Sequence, residues 1–296
     1  MLANYPSLPK FPIPVSAGIG LRGVHYQEVA FSEKHPDIAW LEIHSENFFA
    51  AGGMSHVVLE SVCEKYPVSF HGVGLSLGST DPLDKIHLEH LKTLIDRYQP
   101  ALVSEHISWS HAGGVVMNDL LPLPYTYEAL QTVIDHVQMV QDYLKRQILV
   151  ENPSTYLQFT DCDMQEYEFM REVALQSGCG ILLDINNIYV THKNHGIDLQ
   201  RYLAHMPKAS IQEIHLAGHM IDTIEGQPLW LDHHGDAVCD AVWELYAQAL
   251  ALYGPIPTLI EWDTNTPTLA RLIEEAHKAD QLLAEAALSP LADIRI

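Results

Sequence analysis

An α/β fold, a closed (β/α)8 TIM barrel, is what this sequence predicts, on three observations. Eight short apolar stretches alternate with helix-like segments, more strands than an open doubly wound sheet usually carries. Seven of the eight place a His, Asp or Glu near the carboxyl end. In a parallel barrel those ends meet on one rim, where the chemistry is kept. No GxGxxG run follows the first strand, which further weakens the dinucleotide-binding alternative.

In chain order, Gly18–Arg22 reads as the first strand. Trp40–His44, Val68–His71, Leu102–His106, Ile148–Glu151, Ile181–Asp184, Ile211–His215 and Thr258–Glu261 read as the other seven. Helix-like patterns cover Ser55–Lys65, Leu83–Arg97, Thr126–Lys145, Met164–Gln176, Asp198–His205, Ala237–Leu252 and Thr266–Ala287. Gly178 and Gly180 stand where a helix must stop, and Pro67, Pro100 and Pro257 mark strand starts. No repeat, low-complexity tract or long linker divides the chain. Residues 1–296 are therefore expected to form one barrel domain, with the proline-bearing 1–16 as an extended arm.

Side chains alternate across a strand with period two. Glu42, His44 and Glu46 thus share one face, and Ser69 with His71, Ser104 with His106, and Glu213 with His215 repeat the division. Phe70, Val103, Val150, Leu183 and Ile214 are left to face the helices. Helices cover the outside of a barrel, so a polar set in phase with every strand-end ligand belongs to the upper interior. Glu105 is out of phase with His106 and is expected to support a ligand rather than be one.

Local groupings reinforce the rim. Asp184 and Asn187 lie in LLDINNIY, where a turn could aim both at one ion. His215 and His219 in HLAGH are four apart, within reach of each other through a helical turn or tight loop. Asp232 and His234 alternate along LDHHGD, while His233 points away. A lone strand-end histidine is more often structural than a ligand. Convergence alters that reading: His71, His106, Glu151, Asp184, Asn187, His215, His219, Asp232, His234 and Glu261 exceed the needs of one six-coordinate ion. Two or three ions bridged by Glu151, Asp184 or Glu261 would use them all. Buried carboxylates are costly to keep ionised, and bound cations remove that cost. Imidazole and carboxylate without thiolate suit iron, zinc or manganese, and spacing does not choose among them. His44, Glu46 and Asn47, with Glu105 and Asn152, are expected to contact substrate or hydrogen-bond the ligands.

Composition narrows the partners. The formal charge is −22, from 38 acidic and 16 basic residues with neutral histidine, and such a field repels a phosphate backbone. No nucleic-acid partner is expected. No run approaches the roughly 20 apolar residues of a membrane span, so no membrane partner is expected either. The start MLANYPSLPKFPIP lacks a signal peptide's basic and apolar regions, and Cys63, Cys162, Cys179 and Cys239 show no CxxC spacing. A cytoplasmic location follows as an expectation. HGVGLSLGST has the glycines of a supple loop but not the lysine of a P-loop, and no GxSxG elbow occurs. Trp109, Tyr125, Tyr156, Tyr189, Trp230 and Trp262 fall near rim loops, where they could hold a peptide or pack.

LEIHSENF, FHGVGLSLG, SEHISW, VENPS, LLDINNIYV, EIHLAGH, LDHHG and LIEWD, spread from about Gly18 to Leu283, are specific in combination. On them the chain resembles the bacterial family that includes the methanobactin biosynthesis oxidase MbnB and TglH. The resemblance implies a xylose-isomerase-like barrel holding two or three iron ions of mixed valence. It also implies oxidation of cysteines in a ribosomally made precursor peptide by dioxygen, with a small partner protein that recruits the peptide. Carried onto this chain, it makes His71, His106, Glu151, Asp184, His215 and Glu261 ligands of a central iron pair. Asn187, His219, Asp232 and His234 would hold a third ion. The alternatives are a redox-neutral zinc or manganese isomerase or phosphoester hydrolase, and a non-enzymatic metal-binding subunit of a complex.

Overall fold

The computed structural model describes residues 11–288. Most of the expected arm, 1–10, lies outside the described residues, and 11–16 form no regular element. Twelve strands follow. They are β1 (Ala17–Gly20), β2 (Leu41–His44), β3 (Val68–Gly72), β4 (Leu102–His106), β5 (Trp109–Ala112), β6 (Val115–Leu121), β7 (Leu149–Glu151), β8 (Gly180–Asp184), β9 (Ile211–Ala217), β10 (Met220–Ile224), β11 (Gln227–Leu231) and β12 (Thr258–Glu261). The α-helices are α1 (Tyr26–Ala30), α2 (Met54–Cys63), α3 (Lys85–Tyr98), α4 (Tyr127–Leu144), α5 (Glu166–Ser177), α6 (Ile185–His195), α7 (Leu199–His205), α8 (Asp240–Tyr253) and α9 (Leu269–Leu288).

Eight strands close a barrel in the order β1-β12-β9-β8-β7-β4-β3-β2, every pairing parallel. The predicted barrel is the observed one. Phe70, Val103, Val150, Leu183 and Ile214 are buried in the hydrophobic core, as the two-residue period requires. The helices begin and end where their chemistry says. Asp84 accepts the Ile86 amide at the start of α3, and Thr126 accepts that of Ala129 at the start of α4. Gly178 takes the left-handed conformation that closes α5.

Three features depart from the expectation. The first strand ends at Gly20, not Arg22, and the Arg22 side chain folds back over it. A Cβ on Gly20 would lie 2.8 Å from that guanidinium. Two antiparallel hairpins, β5-β6 and β10-β11, leave the rim where loops were expected. Their turns carry positive φ at Gly113 and Gly114, and at Glu225 and Gly226, matching the twist of tight hairpins. Finally, α1 and α6 fill stretches where no helix was expected, α6 starting directly from Asp184.

Candidate metal centre

The carboxyl ends of the barrel strands bring the predicted ligands together in one mouth. Parallel pairing puts His44 beside His71 and His106 beside Glu151, and sets Asp184 beside His215. His71 Nε2 lies 2.9 Å from His106 Nε2 and 3.4 Å from Glu151 Oε2, and His106 Nδ1 lies 3.3 Å from the same oxygen. One imidazole gives one nitrogen to an ion, and with one ligand atom taken from each residue the three lie within 4.8 Å of one another, a group that could hold a metal ion. Ser104 Oγ, 2.8 Å from His71 Nδ1, holds the far side of that ring and leaves Nε2 for the mouth.

Glu151, Asp184 and His215 form a second such group, so Glu151 belongs to both. Asp184 caps α6, its Oδ1 accepting the Asn187 amide at 2.6 Å while Oδ2 has no hydrogen-bond partner. Asn152 braces the strand end: its side chain accepts from Asp184 N at 2.8 Å and donates to Asp184 O at 2.9 Å. Asn187 donates to Glu151 Oε1 at 3.3 Å and to Asn152 O at 3.0 Å, leaving Oδ1 buried without a partner.

The remaining residues form a third cluster on the other side of Glu261. His215 Nδ1 is 3.1 Å and His234 Nδ1 3.5 Å from Glu261 Oε2, and His234 Nε2 is 2.6 Å from Asp232 Oδ1. His215 and His219 are joined by no helical turn. Strand β9 runs on to Ala217, and Gly218 then leads into the β10-β11 hairpin, whose two ends carry His219 and Asp232. A Cβ on Gly218 would lie 2.0 Å from Asp236 O, so only glycine permits that approach. The 232–234 segment is not plainly extended either: His234 has φ +49, with its amide on Gly218 O and its carbonyl accepting from Asp263 and Thr264. His233 turns to Thr264, away from Asp232.

Four contributors were missed in the sequence. Asn186 donates to Asp232 Oδ1 at 2.7 Å, and its oxygen meets His219 Nδ1 at 2.9 Å, so it stands between them. Asp263 lies 3.4 Å from His234 Nδ1 and is paired with Arg22, whose guanidinium also reaches His44 Nε2 at 3.3 Å. Glu42, read only as sharing a face with His44, reaches His215 across the barrel. A charge partner two residues from a ligand, as in IEWD, was the available signal for Asp263; none marked Asn186.

The five residues expected beside the ligands divide. His44 is in the mouth, 3.6 Å from Glu261 Oε1. Glu105 Oε2 accepts from Leu75 N at 3.1 Å, and Glu46 Oε1 accepts from Val73 N and Gly74 N at 2.9 and 3.0 Å. The glycine-rich loop is thereby pinned, not supple. Asn152 acts as described above, and Asn47 is exposed on the turn after β2. Most rim aromatics are engaged in packing or backbone bonds: Trp109 with Pro122 O, Tyr125 with Glu166, Tyr156 with Asp232 N, and Tyr189 against His219.

Electrostatics fit a cation site. Burial pushes the Glu151 carboxyl well above the usual range, and burial with the neighbouring Asp232 charge pushes Asp184 up to about 7. Burial lowers His71 far below its usual value and His106 to about 4, leaving both imidazoles neutral with lone pairs to give. His215 and His234 go the other way. Burial opposes their charge, but Glu42 and the contacts of His215 with Glu213 and Glu261 outweigh it for His215, and Asp232 with Glu261 for His234. The partnerless buried atoms Glu151 Oε2, Asp184 Oδ2 and Asn187 Oδ1 are all oxygen donors facing this region. Hard oxygens with the neutral imidazoles of His71 and His106 fit a divalent first-row ion.

Residues 16–284 match the family described as the RiPP precursor modification enzyme MbnB/TglH/ChrH, where RiPP denotes a ribosomally synthesised, post-translationally modified peptide. A UPF0276 protein of Vibrio parahaemolyticus is 46% identical over 268 residues, 90% of this chain and 92% of the relative. One from Anaeromyxobacter sp. is 48% identical over 269 residues, 91% and 93% of the two chains. Among solved structures, endonuclease IV from Thermus thermophilus superposes with TM-score 0.56 at 13% identity, covering 92% of this chain and 99% of that one. D-allulose 3-epimerase from Methylomonas sp. gives 0.54 at 13%, covering 93% and 96%. At such identities the likeness shows the xylose-isomerase-like barrel alone. The motifs, the mouth built on them and the match over 16–284 together make this chain a member of the MbnB/TglH/ChrH family of RiPP precursor modification enzymes.

Proposed function

We propose that this protein is a multinuclear iron oxidase or oxygenase that modifies cysteine residues of a ribosomally made precursor peptide with dioxygen. The observation that carries this reading is the sharing of Glu151 between two groups of ligand type, with Glu261 at the centre of a third. One ion would leave most of that mouth uncompensated. Bound iron would supply a site for a cysteine thiolate and the electrons that dioxygen requires.

The chain's own residues do the positioning. His71, His106 and Glu151 would hold one ion, Glu151, Asp184 and His215 the next, and Asn187, His219, Asp232, His234 and Glu261 a third. Asn186 supports this arrangement by tying His219 to Asp232, two residues from opposite ends of a hairpin. Arg22 holds Asp263 against the mouth and keeps Glu261 and His44 from drifting toward solvent. Apolar surface on the same rim supports a peptide substrate. A cavity of about 550 Å³ is lined by Gly78, Trp109, Leu123, Pro124, Ala129 and Phe159. A small partner that recruits the precursor belongs to the same reading.

The test is anaerobic loading with ferrous iron, addition of a cysteine-containing precursor peptide with a small recruiting protein, and admission of dioxygen. Mass spectrometry should show a change confined to a cysteine-containing fragment. An unchanged peptide with iron fully loaded, or equal turnover with zinc, would overturn the assignment.

A further inference from the structure

Below the mouth, the barrel interior holds a second layer that the proposed chemistry does not use. Glu42 on β2 and Glu213 on β9 are 0% exposed, and with His215 they form a group whose ligand atoms lie within 4.8 Å of one another. All four carboxylate oxygens are buried without a hydrogen-bond partner, as is His215 Nε2. Two carboxyl groups at the bottom of a barrel, far from solvent, are expensive unless something requires them. Trp40, two residues before Glu42, is also fully buried and packs over Gly18 of β1.

His215 has two faces. Nδ1 is 3.1 Å from Glu261 Oε2 in the mouth, while Nε2 points down, 3.5 Å from Glu42 Oε1 and 3.7 Å from Glu213 Oε1. Glu213 precedes His215 by two residues and shares its face, but Glu42 comes from β2, which is not a neighbour of β9 in the barrel order. Two elements therefore converge on one ring nitrogen from different directions. We propose that Glu42 and Glu213 are positioning residues that take the Nε2–H of His215, fixing its tautomer and presenting Nδ1 to the metal ion. The proposal rests on the metal reading above and deepens it. A histidine ligand whose other nitrogen is held by a carboxylate is a better-oriented and more basic donor, and loss of such a partner typically costs about 10- to 100-fold in metal affinity. The rival occupant of the floor is an ion bound by Glu42, Glu213 and His215 Nε2. That ion would leave Nδ1 protonated toward Glu261 and withdraw His215 from the mouth.

The test uses Glu42→Gln and Glu213→Gln with Co2+ as the probe, in metal-free protein, with thermal melting of each metal-free form. Wild type and Glu151→Gln are run beside them. The expected result is about 10- to 100-fold weaker Co2+ binding in both floor variants, with a changed visible spectrum. Melting of the metal-free variants reports folding apart from metal binding, since glutamine keeps the volume and still offers Nε2–H an oxygen. A purely structural pair would give lower melting with unaltered Co2+ affinity, which overturns the proposal. Loss of one whole equivalent with the rest bound normally assigns a floor ion and also overturns it. Failure of both isosteric variants to fold does the same. Wild type binding no Co2+ would instead remove the metal reading itself, and the proposal with it.

Discussion

Replacing Glu151 with glutamine separates a metal-bridging carboxylate from a merely buried one. The substitution keeps volume, and the Asn187 donor 3.3 Å from Glu151 Oε1 keeps an oxygen acceptor. The metal-free variant should be at least as stable as metal-free wild type, since burial already opposes the Glu151 charge. Metal reverses the order. An ion present at 100 times its Kd stabilises the native state by about 2.7 kcal/mol. For a 296-residue chain, with an unfolding entropy of about 2 cal/mol/K per residue, that is about 4.5 °C in Tm per ion. Two bridged ions should raise wild-type Tm by roughly 9 °C. Glu151→Gln should lose most of that rise, because both ions lose a charged donor at once. Differential scanning calorimetry with and without Mn2+ or Fe2+, paired with metal analysis, reads the difference. A Glu151→Gln protein that keeps the full metal-dependent rise would refute the bridging argument.

Other substitutions probe separate parts of the account. His233→Ala should leave metal content nearly unchanged, because that ring meets Thr264 and not Asp232; loss of an ion by elemental analysis would contradict the placement. Gly218→Ala should lower Tm and release the ion nearest His234, since the new methyl collides with Asp236 O and His234 N hangs on Gly218 O; overpacking of this kind costs about 1–3 kcal/mol or more. Glu166, buried under Tyr125 and Tyr202, titrates at about 7, raised by burial, while the unfolded chain titrates near 4.5. Its folded form binds the proton more tightly, so its stabilising contribution is full below about 4.5 and is lost as pH rises through about 7. The loss is about 3 kcal/mol, and Glu166→Gln should remove it, which urea melts of metal-free protein at pH 5 and pH 8 will show.

Much of this was legible because a barrel strand is short, apolar and phase-locked. His71, His106, Glu151 and Asp184 end such strands, and the parallel register could bring them nowhere but one rim. What the pattern hid was local. The stretch INNIYVTHKNH is rich in Asn and β-branched residues, a weak helix former, and α6 exists because Asp184 caps it and the barrel packs its apolar side. The hairpin β5-β6 had a readable signal in Gly113–Gly114 between β-forming residues, but a loop was expected there. The β10-β11 hairpin matters more. It inserts twelve residues between His219 and Asp232 and then returns the chain, so spacing along the sequence says nothing of their nearness. Glu42 was invisible for the same reason, since its partner lies across the barrel.

On the proposed reading, the mouth holds more than one iron ion, joined through a shared carboxylate. Mössbauer spectroscopy of protein loaded anaerobically with 57Fe tests it most directly. The expected spectrum shows more than one iron per chain and a magnetically coupled subsite that disappears in Glu151→Gln. A single uncoupled iron per chain at saturation, with Glu151→Gln indistinguishable from wild type, would contradict it.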